Sequence, residues 1–405
     1  MNRRQFINTA MLASSFSYLT FNSALAQEKT TMTPPTPFRF HASDEQLEDL
    51  KYRLQHTRWP DEPQDAGWSI GTNLAYMKSL TDYWINTFDW RKAEAQINAF
   101  ANFKTEIDGT EIHFIHQKSK NKNAKTLLLL HGWPDSFYRY HKVIEGLSED
   151  FHVVVPSIPG TGFSGKTALP VDRIADLFAT LMSDVLGYRK FIAVGGDIGA
   201  IIAMSLGQRH PGMLAGYHVT DVGYPDHTTD FASLSPPEQA YAGFVQQWFF
   251  SHGAYNLVQA SKPQSLAFAM NDSPVGLAAW IMSFMEGAGQ GDELDKKFGR
   301  DALLTNIMIY WLTETAASSF RLYNQNAVAP PTTKGLKTDV PIAVATEAPV
   351  PGGVRLPREW AVRQSAGNVV QFHDMQKAGH FAAWEDPEFY AKDIREFASL
   401  LASSD

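Results

Sequence analysis

Residues 191–199 read Phe-Ile-Ala-Val-Gly-Gly-Asp-Ile-Gly, and the fold is decided there. An apolar run ends in two glycines, Asp197 follows, and Gly199 stands two residues beyond it. The next residues, IIAMSLGQRHPG, carry apolar side chains at helical spacing. A strand that turns this sharply into a helix holds the turn residue at strained dihedrals. Small neighbours at minus two and plus two keep the backbones from colliding. Such a junction presents its tip side chain as a nucleophile, and the tip here is Asp197. The same letters also fit an ordinary strand-to-helix junction with Asp197 as a helix cap.

Outward from this stretch, strands and helices alternate. Thr126 to Leu130 is a continuous apolar run, which suits a central parallel strand. Phe151 to Val155 is a second, followed by the Gly-rich PSIPGTGFSG, and Val171 to Leu186 is an amphipathic helix. Met213 to Val219 is the strand after the elbow helix. Asp221 to about Asn326 then shows helical patterns without strands, clearest over Gly276–Met285, Asp301–Trp311 and Thr313–Leu322. Val340–Thr346 and Asn368–His373 resume the sheet, and Asp386-Pro387 opens a last helix. Upstream, Ser43 with Gln46 forms a capping box, and Thr72–Phe88 and Trp90–Phe103 are helical and aromatic. Asp108-Gly109 between two alternating runs predicts a hairpin with a type I′ turn. The alternation predicts an α/β fold with a parallel sheet and an inserted helical cap.

The expected boundaries are 1–26 for an export signal and 27–102 for a tether (Gln27 to Pro37) with an N-terminal helical arm. The core occupies 103–220 and 334–405, and the cap 221–333. The export reading rests on Arg3-Arg4, a modest apolar run from Ala10 to Phe21, and the small-x-small Ala24-Leu25-Ala26. It implies a mature protein beginning near Gln27, exported by the twin-arginine route to the periplasm, with no stable membrane anchor.

Composition narrows the partners. The 405 residues have a formal net charge of -8, which gives no nucleic-acid footprint. No cysteine is present, so disulfides and thiolate chemistry are excluded. The histidines are scattered without ligand spacing, so neither a metal nor a cofactor is expected. PGTGFSG lacks the Lys-Ser/Thr ending of a phosphate loop and is read as shaping the pocket floor. The aromatic arm leaves homo-oligomerisation open.

Sites in open α/β sheets form beyond the carboxyl ends of strands. His131-Gly132-Trp133-Pro134 ends one strand, and Gly132 lets the chain bend toward the elbow. The backbone N–H groups of Trp133 and Ile198 can then serve as an oxyanion hole. His131 is read as shaping the loop. His380, in KAGHFAAWEDPE, follows the last strand on a Gly-hinged loop and can reach the elbow tip. Asp is ionised at neutral pH and needs no base to attack. A covalent ester on Asp197 would need one afterwards, to activate water, and His380 has that chemistry.

The chain resembles the microsomal epoxide hydrolase family within the α/β-hydrolase fold. The similarity runs from Pro37 to the C-terminus and is carried by YRLQHTRWPDE, HGWPDSFYRY, GGDIG, NDSPVGLAAWI, LLTNIMIYW and GHFAAWEDPE. It implies a hydrolase that opens a small apolar epoxide with water, Asp197 being the nucleophile and His380 the base. It also implies two cap tyrosines bound to the epoxide oxygen. Tyr255 in HGAYNLVQASKP and Tyr323 in SSFRLYNQN match their places, and phenol O–H groups suit the protonation of an alkoxide.

One position departs from the family. Its acid is expected in the stretch VPGGVRLPREW, where Gly352-Gly353 stand instead. Asp221, after the strand that follows the elbow helix, is favoured as the carboxylate that orients His380, with Glu347 as the alternative. Three other readings stay open: a haloalkane dehalogenase-like enzyme, an esterase-like enzyme, and a binding protein that has lost its acid.

Overall fold

The structure is a computed structural model that describes residues 30–288, 293–332, 338–350, 352–365 and 367–401. The export signal read over 1–26 lies outside the described residues, as does the boundary at 333/334. Thr31 to Asp405 form one compact unit.

Nine strands build one sheet: β1 (Thr36–Pro37), β2 (Asn102–Ile107), β3 (Thr110–Gln117), β4 (Thr126–Leu130), β5 (His152–Pro156), β6 (Phe191–Gly195), β7 (Leu214–Val219), β8 (Thr338–Thr346) and β9 (Gly367–Asp374). Their order is β1-β2-β3-β5-β4-β6-β7-β8-β9. The first four in that order pair antiparallel, and the pairs from β5 through β9 are parallel. Every residue of β4, β5 and β6 is buried, which is why these strands read as unbroken apolar runs rather than alternating ones. The chain winds one way from β4 to β5 and the other way from β6 onward. The carboxyl ends of β4 and β6 therefore flank the switch point where such sheets hold their sites.

Asp108 and Gly109 both have positive φ, 48° and 72°, as the type I′ hairpin turn requires. The segment read as a tether differs from expectation. From Thr31 onward it is an edge: β1 pairs with β2, and the Thr31 carbonyl accepts from Asp108 N–H at 2.8 Å. Without it β2 would expose a row of unpaired backbone groups, and Pro is tolerated at such an edge.

The N-terminal helices are α1 (Asp44–Gln55), α2 (Leu74–Asn86) and α3 (Trp90–Ile97). Ser43 and Gln46 make both bonds of a capping box at the start of α1. In the core, α4 (Ile144–Ser148), α5 (Val171–Thr180) and α6 (Ile198–Arg209) follow β4, β5 and β6. The helix read to Leu186 passes into a π-turn over Leu181–Val185. Between β7 and β8, among the described residues, lie only helices: α7 (Pro236–His252), α8 (Ala254–Ser261), α9 (Pro263–Asp272), α10 (Pro274–Ala288), α11 (Glu293–Lys297), α12 (Arg300–Thr313) and α13 (Ala316–Val328), with one short 3-10 turn. After β8 come α14 (Arg358–Ser365), then α15 (Ala382–Glu385) and α16 (Pro387–Leu400).

Of the N-terminal helices, α1, α2 and the loop between them grip this helical insertion. Arg53 Nη1 donates to the Asp272 carboxylate at 2.9 Å, Thr72 Oγ1 to the Ala279 carbonyl at 2.6 Å, and the Tyr83 hydroxyl to Asp301 at 2.8 Å. The arm thus fastens α9, α10 and α12.

Candidate active site

Asp197 sits at φ 56° and ψ -133°, a conformation L-residues rarely adopt. Its side chain makes no capping bond to α6, so it does not act as a helix cap. The flanking glycines answer to close approach. A Cβ on Gly195 would collide with the Gly199 carbonyl, and one on Gly199 with the carbonyl oxygen of Leu130 at the end of β4. A Cβ on Gly132 would overlap Oδ1 of Asp197. With no Cβ in the way, the backbone N–H of Trp133 reaches Oδ1 of Asp197 at 2.9 Å. Ile198 is the first residue of α6 and lines the same cavity. The first N–H groups of a helix lack intrahelical acceptors.

His380 faces the other carboxylate oxygen, its Nε2 3.5 Å from Oδ2 of Asp197. Its Nδ1 lies 3.0 Å from Oε1 of Glu347. Burial pulls the pKa of His380 down, but Glu347 and Asp197 push it up by more, so it stands well above its ordinary value.

The preference for Asp221 as partner of His380 is therefore corrected to Glu347. The Asp221 carboxylate accepts from Gly223 N–H at 2.8 Å and from the Tyr224 hydroxyl at 2.7 Å. Burial, and then the charge of Glu347, push its pKa up to about 6. Glu347 directly follows β8, and parallel pairing brings that strand end beside the end of β9, whose loop carries His380. Arg355 clasps this position, donating to the Thr346 and Glu347 carbonyls at 3.1 and 2.9 Å. The carboxylate missing at Gly352-Gly353 is thus supplied several residues earlier, and the observation behind the lost-acid reading disappears.

Trp133, Tyr255 and Tyr323 pack as one aromatic cluster. The Tyr255 ring stacks on Trp133 with centroids 5.4 Å apart, and Tyr323 meets Trp133 edge-on at 5.9 Å. Phe284 packs against both Tyr255 and His380, at 4.8 and 5.3 Å. Burial, and after it the Asp197 charge, raise both phenols well above their ordinary pKa. Both are therefore neutral O–H donors at working pH. A cavity of about 260 Å³ opens here between core and cap, reaching Asp197, His380, Glu347 and both tyrosines. Phe244, Val245, Trp248 and Phe249 from α7 give it an apolar wall.

The Gly-rich loop after β5 does not contribute to that cavity, contrary to the reading of PSIPGTGFSG as its floor. It supports the Trp133 loop from behind: Ile158 N–H donates to His131 Nε2 at 3.0 Å, and His131 Nδ1 lies 2.9 Å from the Gly132 carbonyl. Three contributors escaped the sequence reading. Asn306 Nδ2 donates to the Pro134 carbonyl at 2.8 Å, and the Tyr310 hydroxyl donates to that of Asp135. These bonds give the LLTNIMIYW motif a physical purpose, since α12 clamps the loop that carries Trp133. The third is Arg139, buried beneath the site. His373, Asp393 and Glu396 converge on one another without lining that cavity. Asp393 is already held by His373 Nδ1 and His218 Nε2, at 2.5 and 2.6 Å.

A strand-to-helix elbow that presents a carboxylate, faced by a backbone N–H and a carboxylate-bound histidine, defines an α/β-hydrolase with an Asp at the nucleophile position. Comparison with known proteins agrees on the fold. The family profile for the epoxide hydrolase N terminus matches residues 35–140, and that for the alpha/beta hydrolase fold matches residues 125–387. A Stigmatella aurantiaca protein provisionally named an epoxide hydrolase is 40% identical over 388 residues, covering 91% of this chain and 86% of the relative. Epoxide hydrolase 1 of Sus scrofa is 34% identical over 416 residues, covering 90% and 88%. The crystal structure of juvenile hormone epoxide hydrolase from the silkworm Bombyx mori superposes with a TM-score of 0.80 at 26% identity, covering 91% and 96%. The chain belongs to the epoxide hydrolase family.

Proposed function

We propose that this chain opens an apolar epoxide to a vicinal diol through an ester on Asp197. The observation that carries the reading is the division of labour at one carboxylate. Oδ1 of Asp197 is held by Trp133 N–H, and Oδ2 faces His380 across 3.5 Å. Oδ2 attacks an epoxide carbon, the ring C–O bond breaks, and a phenol of Tyr255 or Tyr323 gives its proton to the leaving alkoxide. Water then adds to the Asp197 carbonyl carbon while passing a proton to His380, whose imidazolium Glu347 stabilises. Trp133 and Ile198 N–H groups receive the oxyanion. Collapse releases the diol and regenerates the carboxylate. The proton on His380 returns to the tyrosinate.

The charges of Glu347 and Asp197 favour the protonated form of His380 and outweigh its burial. Esterification neutralises Asp197, removes one of the two charges that raise His380, and so frees the base when it is needed. A single turnover with styrene oxide in ¹⁸O-water tests the scheme. The first diol should be unlabelled and Asp197 should carry the label. Label in the first diol would mean direct attack by water, and halide release from haloalkanes without any diol would favour the dehalogenase reading.

We further propose that residues 1–26 are an export signal and that the mature chain works in the periplasm. Arg3-Arg4 and Ala24-Leu25-Ala26 support this. N-terminal sequencing of the protein from its host should begin near Gln27, and a retained Met1 would count against export.

A further inference from the structure

Two buried charges have no part in the steps above. Asp135 and Arg139 are wholly shielded from solvent and bind each other through Asp135 Oδ2 and Arg139 Nη1. The other oxygen of Asp135, Oδ1, accepts from Gly132 N–H at 2.8 Å, one residue before the Trp133 N–H that holds Asp197. The other arm of Arg139, Nη2, donates to the backbone carbonyl of His380 at 2.5 Å. The guanidinium also lies against Gly196, where an added Cβ would come within 2.5 Å of Nη2. Its Cζ stands 5.5 Å from the centre of the Phe381 ring. One ion pair therefore touches the three chain segments that form the site: the loop after β4, the elbow after β6, and the histidine loop after β9.

Stability alone does not account for such a pair. Taking two charges out of water is costly, and apolar side chains of similar volume often replace them without loss. Apolar packing does not fix backbone positions to hydrogen-bond accuracy, whereas a planar guanidinium with a bidentate reach does. We infer that Asp135 and Arg139 are positioning residues that lock the histidine loop to the Trp133 loop and thereby set the reach of His380 to Asp197. The inference rests on the proposed reaction for its kinetic consequences and on geometry alone for its structural ones.

The test removes both charges at once in Asp135→Asn/Arg139→Met. Asn keeps an acceptor for Gly132 N–H, and Met retains the apolar stem of Arg139. The bond to the His380 carbonyl is lost. Misplaced by a fraction of an ångström, His380 should activate water about 10- to 100-fold more slowly, while attack by Asp197 stays near the parental rate. The ester should accumulate, and kcat and KM should fall together with kcat/KM little changed. A merely structural loss would instead lower burst amplitude and kcat in proportion and leave KM alone. Normal turnover without ester accumulation in the folded double variant overturns the inference.

Should that variant fail to fold, Arg139→Lys serves. An ammonium keeps the pairing with Asp135 but cannot also span to the His380 carbonyl, so a smaller shift of about threefold in the same direction is expected. Kinetics identical to the parent in both phases would likewise overturn it. The NMR titration of the His380 imidazole gives a readout without substrate. Its midpoint should fall in either variant, because His380 drifts from the Asp197 charge. An unchanged midpoint counts against positioning. A lowered midpoint in a protein that makes no diol would uphold the pair and refute the epoxide reading instead.

Discussion

Glu347 and His380 meet through a 3.0 Å contact at Nδ1, and Asp221, beside them in the same cavity, spends its carboxylate on Gly223 and Tyr224. The two acids therefore predict different phenotypes. Glu347→Gln should leave the burst of ester formation in place and slow diol release by about 100-fold or more, because the imidazolium loses its counter-charge and orientation. Asp221→Asn should cost far less. Rapid-quench measurement of both phases decides, and a trapped ester in Asp221→Asn with brisk turnover in Glu347→Gln would restore Asp221 as the acid.

The same contact predicts a pH shift. An anion beside an imidazole favours its protonated form, so Glu347 raises His380 and its removal must lower it. The acidic limb of the hydrolysis rate in Glu347→Gln should therefore move to lower pH, even as the plateau falls. Single-turnover decay of the ester across pH measures the limb. A shift to higher pH would mean that some other group titrates.

The tyrosines should act on the first step only. Tyr255→Phe and Tyr323→Phe each keep the ring that packs around Trp133 and lose only the hydroxyl. Each is expected to slow ester formation by about 10- to 100-fold, within the range of a general acid. The double variant should nearly abolish it, and decay of any ester formed should stay close to parental. Because Tyr255 stacks on the indole, stopped-flow tryptophan fluorescence can follow both phases. An effect confined to ester decay would remove the phenols from the opening step.

These contacts differ in how far they could be read from the chain. β4 and β6 are legible because a strand buried on both faces must be continuously apolar, and Thr126–Leu130 and Phe191–Gly195 are. The elbow is legible because its glycines answer a steric demand local to nine residues. Glu347 is not, since what brings it to His380 is the register of β8 on β9, a relation between strand ends that no spacing encodes. The same holds for β1, whose edge pairing depends on a strand some sixty-five residues away. Asn306 and Tyr310 were visible only as a motif, because their partners are backbone carbonyls of a loop about 170 positions upstream. Arg139, in a 3-10 turn over Phe137–Tyr140, carries no local sign of its bond to the His380 carbonyl, about 240 positions downstream.

Asp221 carries a final, thermodynamic prediction. Burial lifts its folded-state pKa from 3.8 to about 6. Well below pH 3.8 the carboxyl is neutral in both states, and the fold bears no penalty. As pH rises, the unfolded chain ionises first, so stability is lost between about pH 4 and 6 and stays lost above. The full deficit is about 3 kcal/mol. Asn at this position can still accept from Gly223 N–H, and the Tyr224 hydroxyl can turn to accept from the amide, so the change removes the charge and little else. Relative to the parent, Asp221→Asn should gain about 2 kcal/mol more stability at about pH 8 than at about pH 4.5. Urea unfolding at the two pH values measures the difference. A gain independent of pH would mean that Asp221 is not a strained anion in the folded protein, and that Gly223 and Tyr224 fully offset its burial.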